Sequence, residues 1–197
     1  MSQNPIATHF QQSLTALQRA ANDTALLAVT SDIAVTIIDA LRSGNKVLLI
    51  GNGGSAADAQ HIASEIVGRY RKERPGYAAI ALTTDTSALT AISNDYGFEQ
   101  IFARQVESLG RPGDVLLALS TSGRSPNILA AFTAARRHGL VTVGFTGLNG
   151  KSLHSVCDHL FVAPSDDTPV IQQIHMTAGH AICDSVERAL ADRVEEK

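Results

Sequence analysis

The sequence has few cysteines, no long apolar run and no cluster of positive charge. Its two cysteines, Cys157 and Cys183, do not form a Cys-x-x-Cys pair, which argues against a redox pair or a thiolate metal site. Apolar stretches such as 47–50 are far too short to cross a bilayer, and residues 1–10 are polar. We therefore expect a cytoplasmic protein with reduced thiols, no signal peptide and no membrane span.

The overall charge excludes a further class of partner. A formal net charge of -3 and a pI near 6.1 provide no basic field for nucleic acid. With 197 residues, of which 44% are apolar and 18% charged, the chain can bury one sheet. We expect a single domain over residues 1–197 that binds neither nucleic acid nor a membrane.

Two amphipathic helices are predicted at the N-terminus. Apolar residues recur at helical spacing over 10–21 and again over 26–41, and Gly44 ends the second series. No strand precedes these helices, so they cannot be crossovers of a βαβ unit and must pack on the sheet's flank or on another subunit. We favour a subunit interface for residues 1–44.

Beyond Gly44, short apolar strands alternate with helical stretches. We predict strands at 46–50, 79–82, 115–119, 141–145 and 160–162, and helices at 56–67, 86–93, 99–109, 125–138 and 169–194. This alternation is typical of an α/β fold with a three-layer arrangement around a parallel sheet and right-handed crossovers.

Two loops at predicted strand ends contain the residues most suited to ligand binding. Gly51-Asn-Gly-Gly-Ser55 allows close backbone approach, and Ser55 could cap the next helix. The loop 120–127 places four hydroxyl side chains around a helix start. A plain capped turn is the alternative for each loop, but together they favour a phosphate monoester. Neither loop matches the dinucleotide fingerprint or the Walker A pattern.

A possible metal site joins two distant helices. His61 and Glu65 are four residues apart on one helix face, and Gln172 and His180 are eight apart, about two turns, on the last helix. Two imidazoles, a carboxylate and an amide oxygen suit zinc. The spacing of His61 and Glu65 also fits a solvated polar face, and His175 is a competing ligand.

Several longer motifs are spread along the chain. They are Gly51-Asn-Gly-Gly-Ser-Ala-Ala-Asp-Ala-Gln-His61, Gly68-Arg-Tyr70, Arg74-Pro-Gly-Tyr77, Asn94-Asp-Tyr-Gly-Phe98, Gly113-Asp-Val-Leu-Leu117, Ser120-Thr-Ser-Gly123 and Ile171-Gln172. Together with Glu65 and His180, this set resembles the phosphoheptose isomerase family of sugar-isomerase (SIS) domains over nearly the whole chain.

The resemblance implies a flavodoxin-like SIS fold with two extra N-terminal helices, assembled as a homotetramer with active sites at subunit interfaces. It implies an enzyme that isomerises a small sugar phosphate, sedoheptulose 7-phosphate, to D-glycero-D-manno-heptose 7-phosphate through an enediol. That reaction would be the first step of heptose supply for lipopolysaccharide core or capsule.

The resemblance also implies residue roles. The zinc ligands would be His61, Glu65, Gln172 and His180, with Glu65 and His180 also the catalytic acid/base pair. The substrate contacts would be Asn52, Gly53, Gly54, Ser55, Glu65, Asn94, Asp95, Ser120, Thr121, Ser122, Ser125 and Gln172. Many relatives have Arg and Glu where this chain has Val170 and Gln173, so the surroundings of Gln172 differ here.

The resemblance leaves two rival functions, and one relative of the adaptor type resembles this sequence closely along its length. A non-catalytic SIS protein, either a phosphosugar sensor or an adaptor for a replication initiator, tends to lose the carboxylate and the distal imidazole that Glu65 and His180 provide here. A SIS isomerase, epimerase or etherase for another phosphosugar, such as an arabinose or amino-sugar phosphate, usually carries different residues around the first loop.

Overall fold

The computed structural model describes residues 4–191, which contain seven α-helices and five strands. In chain order these are α1 (Pro5–Asn22), α2 (Thr24–Arg42), β1 (Val47–Gly51), α3 (Gly54–Val67), β2 (Ala79–Ala81), α4 (Thr86–Tyr96), α5 (Ala103–Leu109), β3 (Val115–Leu119), α6 (Pro126–Arg137), β4 (Val141–Thr146), β5 (His159–Val162) and α7 (Thr168–Ala191). Two 3-10 segments, Phe98–Gln100 and Leu148–Ser155, lie between them.

All the strands pair in parallel in one sheet with the order β2-β1-β3-β4-β5. The register sets Leu49 beside Leu117, and Leu117 beside Val143. This order is flavodoxin-like, and the direction of strand addition reverses between β1 and β3. The parallel sheet predicted from the sequence is confirmed.

Both faces of the sheet are buried, which explains why its strands are apolar throughout. Leu49 joins a core shared with α2, α3 and α7, whereas its neighbour Leu48 joins a core shared with α5 and α6. Helices therefore cover the sheet on both sides, which confirms the three-layer arrangement.

The second N-terminal helix forms part of the core of this chain. It packs against α7 and β5, and Ile33 and Ile37 are fully buried. Among residues 4–191, α2 is the one helix whose length and mean hydropathy of 1.7 would suit a membrane span. The polar residues 30–32 interrupt its apolar residues, so the sequence has no long apolar run there. Packing within the fold buries 33% of this stretch, whereas Leu27 and Val35 are 50% and 54% exposed.

The first helix is covered much less. Only Ser13 and Ala16 are buried on α1, whereas Ile6 and Phe10 are 68% and 70% exposed. The two N-terminal helices thus differ, because α2 packs on the sheet's flank and α1 leaves an apolar side open. The interface predicted for residues 1–44 stays a prediction.

Some predicted element bounds differ from those in the structure. The helix predicted over 99–109 is wrong in its first part, because Phe98–Gln100 form a 3-10 turn and α5 begins only at Ala103. The 3-10 segment Leu148–Ser155 was not predicted. Helix α4 runs on to Tyr96, and the predicted end of the last helix, 192–194, lies outside the described residues.

Candidate active site

The two loops singled out in the sequence lie side by side in the fold. Strands β1 and β3 are neighbours, so the loops that follow them meet at the carboxyl edge where the strand order reverses. Open parallel sheets bind ligands at this position. The first loop turns sharply through Gly53, whose φ of 56° a residue with a side chain rarely adopts.

The helices that begin at this edge lack the usual side-chain caps. Asn4, Asp23 and Asp85 accept hydrogen bonds from first-turn N–H groups of α1, α2 and α4, but no side chain caps α3 or α6. The expectation that Ser55 caps α3 is wrong, since the helix already begins at Gly54. Several first-turn N–H groups instead donate to backbone carbonyl oxygens, as Ser55 does to Asn52 and Ile128 does to Ser125. The positive ends of both helix dipoles still lie at this edge, which favours an anion.

Hydroxyl side chains cluster at the second loop. Ser120 is buried, and its Oγ lies 3.4 Å from the Oγ of Ser125, the residue immediately before α6. Ser122 Oγ accepts a 3.3 Å hydrogen bond from the Arg124 N–H, and Thr121 is partly buried beside it. The hydroxyls thus gather around the start of α6.

A pair of amides joins the two loops, which the sequence analysis missed. Asn52 Nδ2 donates to Asn127 Oδ1 at 2.9 Å, and Asn127 Nδ2 donates to Asn52 Oδ1 at 2.8 Å. Asn127 is only 1% exposed. The two reciprocal bonds fix the loops relative to each other. The only sequence signal was the position of Asn127 at the end of the Ser/Thr-rich loop.

Three potential metal ligands converge between α3 and α7. His61 Nε2 lies 3.2 Å from Glu65 Oε1 and 3.2 Å from His180 Nε2. All three ligand atoms are within 4.8 Å of one another. The site is half open to solvent, since the side chains of His61 and Glu65 are 50% and 20% exposed.

The spacing of these atoms fits a tetrahedral ion. Zinc binds nitrogen and carboxylate oxygen at about 2.0–2.1 Å, which sets neighbouring ligand atoms of a tetrahedron roughly 3.3 Å apart. Both 3.2 Å separations around His61 match that edge. The donor set of two imidazoles and one carboxylate therefore suits a zinc-like ion.

Gln172 lies near the beginning of α3, one to two turns before His61. Its Nε2 donates to Ser55 Oγ at 3.5 Å, and its side chain packs against Gly54. The two nearby positions at which this chain differs from many relatives, Val170 and Gln173, have contacts elsewhere. Val170 is buried in the core, and Gln173 Nε2 lies 3.4 Å from His9 Nε2 on α1. Gln172 thus connects the first loop with α7.

The structure decides against His175 as a competing ligand. This residue has no exposed surface, contacts the rings of Phe145 and Phe161, and donates from Nε2 to the Thr146 carbonyl oxygen at 3.1 Å. Burial lowers the pKa of His175 to about 4, although the Thr146 bond opposes the shift. His175 is a neutral core residue that faces the sheet.

Asn94 and Asp95 are not joined to the histidine cluster within the subunit. Both are exposed on the last turn of α4, where Asn94 Nδ2 donates to Asp95 Oδ1 at 2.8 Å. Among the described residues, no hydrogen bond links either side chain to the loops or to His61. Their predicted contact with substrate stays a prediction.

Other groups that the sequence analysis did not assign surround the cluster. Asp58 lies one turn before His61 on α3, and its Oδ2 is buried without a hydrogen-bond partner in the described part of the chain. Burial raises the pKa of Asp58, partly opposed by the nearby His61. The Tyr70 ring stacks on His180, with ring centroids 5.7 Å apart.

Comparison with known proteins shows the family of the chain. Residues 9–147 match the family described as SIS domain. A phosphoheptose isomerase of Bradyrhizobium sp. (strain BTAi1) is 66% identical over 185 residues, which cover 94% of this chain and 93% of that protein.

Solved structures extend the similarity to three dimensions. The phosphoheptose isomerase GmhA of Neisseria gonorrhoeae superposes with a TM-score of 0.87 at 42% identity, covering 93% of this chain and 97% of that one. A phosphoheptose isomerase of Francisella tularensis gives 0.89 at 37% identity, with the same coverage. The chain therefore belongs to the phosphoheptose isomerase family of SIS-domain proteins.

Proposed function

We propose that this chain is an isomerase that converts sedoheptulose 7-phosphate to D-glycero-D-manno-heptose 7-phosphate in the cytoplasm. The observation that carries the proposal is the meeting of His61, Glu65 and His180 between two helices, beside loops suited to a phosphate. The similarity to phosphoheptose isomerases over nearly the whole chain supports the choice of substrate. The product would supply heptose for lipopolysaccharide core or capsule.

The phosphate would bind at the carboxyl edge of β1 and β3. The first turns of α3 and α6 have no side-chain cap, so the positive end of each helix dipole would face the phosphate. Ser120, Thr121, Ser122 and Ser125 would add hydroxyl donors, with Ser55 close by. Binding energy at this end would hold C1 and C2 of the open-chain sugar at a fixed distance from the phosphate.

Glu65 and His180 would move the protons. Conversion of the ketose to the aldose takes one proton from C1, returns one to C2 and transfers a proton from O1 to O2 through an enediol. A carboxylate on α3 and an imidazole on α7 face a common space, so one can act at carbon while the other acts at oxygen. Asn52, Gly53, Gly54, Asn94 and Asp95 would orient the sugar hydroxyls.

We further propose that His61, Glu65, Gln172 and His180 hold zinc. His61 Nε2 lies 3.2 Å from Glu65 Oε1 and 3.2 Å from His180 Nε2, and these two separations support this choice of ion. When bound, the metal would supply Lewis-acid polarisation of the oxygens at C1 and C2. Gln172 would complete the set through its side-chain oxygen, because an amide oxygen is an acceptable hard ligand beside imidazole.

We also propose a homotetramer with active sites at subunit interfaces. The apolar side chains that α1 leaves exposed support it, as does an apolar groove of about 310 Å³ between α1, α2 and α7, lined by Leu17, Leu26 and Phe161. Asn94 and Asp95 would then meet substrate across an interface. Light scattering at micromolar concentration tests the assembly, and a monomer would contradict it.

The function is tested with purified protein and sedoheptulose 7-phosphate, followed by NMR. The protein is stripped with a chelator and then assayed with and without added zinc. We expect the aldoheptose phosphate to form only when zinc is restored. Arabinose 5-phosphate serves as the control substrate and should not turn over. No conversion with zinc present would favour the non-catalytic adaptor, and conversion of the control alone would favour the rival isomerase.

A further inference from the structure

The segment between α3 and β2 is fastened to α7 by one buried carboxylate. Glu187 is 1% exposed and accepts hydrogen bonds from the backbone N–H groups of Tyr70, Arg71 and Lys72 at 2.8, 2.7 and 2.8 Å. Burial would raise the pKa of Glu187, but these three donors together with Arg74 outweigh it and lower the pKa. The carboxylate therefore fixes the backbone of three consecutive residues.

Arg74 ties the same carboxylate to the end of α3. Its Nε donates to Glu187 Oε1 at 3.1 Å, and the side chains of both residues are 2% exposed. The guanidinium also donates to the carbonyl oxygens of Glu65 at 2.8 Å and Ile66 at 3.0 Å. The fork of an arginine can satisfy several such acceptors at once. A buried ion pair thus joins α3, α7 and the segment between α3 and β2.

The side chain presented by this fastened segment is the ring of Tyr70, and it covers His180. The two ring centroids are 5.7 Å apart with 28° between the planes, an offset-stacked arrangement. Glu187 follows His180 by seven residues, about two helical turns, so both project from one side of α7. The same helix face therefore carries the histidine and the anchor of the residue stacked on it.

We propose that Tyr70 is a positioning residue that holds the imidazole of His180 towards His61, and that the Arg74–Glu187 pair acts through it. An unsupported histidine on a half-open helix face exchanges between side-chain rotamers. The stacked ring restricts that exchange and leaves His180 Nε2 3.2 Å from His61 Nε2. The inference rests on the proposed function in so far as His180 takes part in turnover.

The test compares two substitutions of the same residue. Tyr70→Phe keeps the stacked ring and loses only the hydroxyl, whereas Tyr70→Leu keeps much of the volume and loses the aromatic face. We expect kcat for sedoheptulose 7-phosphate to fall by about 10- to 100-fold in Tyr70→Leu, as a misplaced catalytic group does, and to stay within about twofold in Tyr70→Phe. KM should change little in either, because the phosphate loops are untouched.

NMR of the His180 side chain provides a second readout that requires neither turnover nor bound metal. In the metal-free protein, the imidazole resonances of His180 should shift and broaden in Tyr70→Leu and stay near the wild-type positions in Tyr70→Phe. Glu187→Gln should reproduce the Tyr70→Leu spectrum, since it loosens residues 70–72. Asp114→Asn is the matched control, because Asp114 is an equally buried carboxylate that accepts backbone N–H groups and a lysine at the opposite edge of the sheet.

The outcomes separate this inference from the proposed function. A folded Tyr70→Leu protein with wild-type kcat and unchanged His180 resonances overturns the positioning role, and so does a Tyr70→Phe protein as impaired as Tyr70→Leu. Equal effects in Glu187→Gln and Asp114→Asn would overturn the part assigned to the ion pair. If the wild-type protein does not isomerise the sugar, the proposed function fails, and the His180 resonances alone decide the role of Tyr70.

Discussion

The Nε2 atoms of His61 and His180 lie 3.2 Å apart although 119 residues separate them in the sequence. Helices α3 and α7 pack on the same face of the sheet and run in the same direction, so that Gln172 lies near Ser55 and His180 near His61. This parallel contact creates a site that neither helix holds alone.

Removal of either proposed acid/base group should abolish most turnover. We expect Glu65→Gln and His180→Gln each to reduce kcat by at least about 100-fold, because each removes a proton-transfer group while keeping its size. Turnover is measured by NMR. The state of assembly, measured by light scattering, should not change. His138→Gln, an exposed histidine at the end of α6, is the control and should behave as wild type. Near-wild-type activity in either site variant would end this assignment.

Gly54→Ala should disturb the site without unfolding the protein. A Cβ at position 54 would lie 2.6 Å from Gln172 Nε2, so the flexible amide has to move. We expect weaker zinc binding by calorimetry and a lower kcat, with a melting temperature close to wild type. Gln172→Ala should give the same loss, and the double variant should lose no more than either one. Additive losses would show that the two residues act separately.

The amide pair between the loops should contribute measurable stability. Asn52→Ala leaves the buried amide of Asn127 without its partner, which costs about 1–3 kcal/mol of unfolding free energy. Asn127→Ala does the same to the half-buried amide of Asn52 and should cost less. A double-mutant cycle in urea measures the coupling, which we expect to exceed about 0.5 kcal/mol. A coupling near zero would mean that the two bonds do not hold the loops together.

His175 should make the protein sensitive to mild acid. Because burial lowers its pKa from 6.5 to about 4, the unfolded chain binds a proton there that the folded chain does not. Between pH 6.5 and about pH 4, the free energy of unfolding should fall as the pH falls, by up to about 1.4 kcal/mol per pH unit. The glutamine in His175→Gln can still donate to the Thr146 carbonyl oxygen, but this variant should lose the pH dependence. The measurement is urea unfolding of metal-free protein at several pH values and a fixed protein concentration. An unchanged slope would contradict the buried neutral state.

The sequence alone determined most of the elements and which residues could form the site. Apolar runs buried on both faces identified the strands, and the spacing of His61 and Glu65 placed both on one side of α3 because a helix repeats every 3.6 residues. The break before α5 was not foreseen, since Ile101 and Phe102 continue the apolar pattern although the backbone there forms a turn between the 3-10 segment and α5. A local pattern of apolar residues cannot show where the backbone stops being helical.

Only the tertiary structure decided which residues of the last helix meet α3. His175 and His180 are five residues apart, which turns them about 140° from each other on a helix, so one faces the sheet and the other faces His61. The Asn52–Asn127 pair and the contact of Tyr70 with His180 likewise join segments far apart in sequence. Periodicity shows that a helix has a buried side, but which side is buried depends on neighbours that only the packed chain brings into contact.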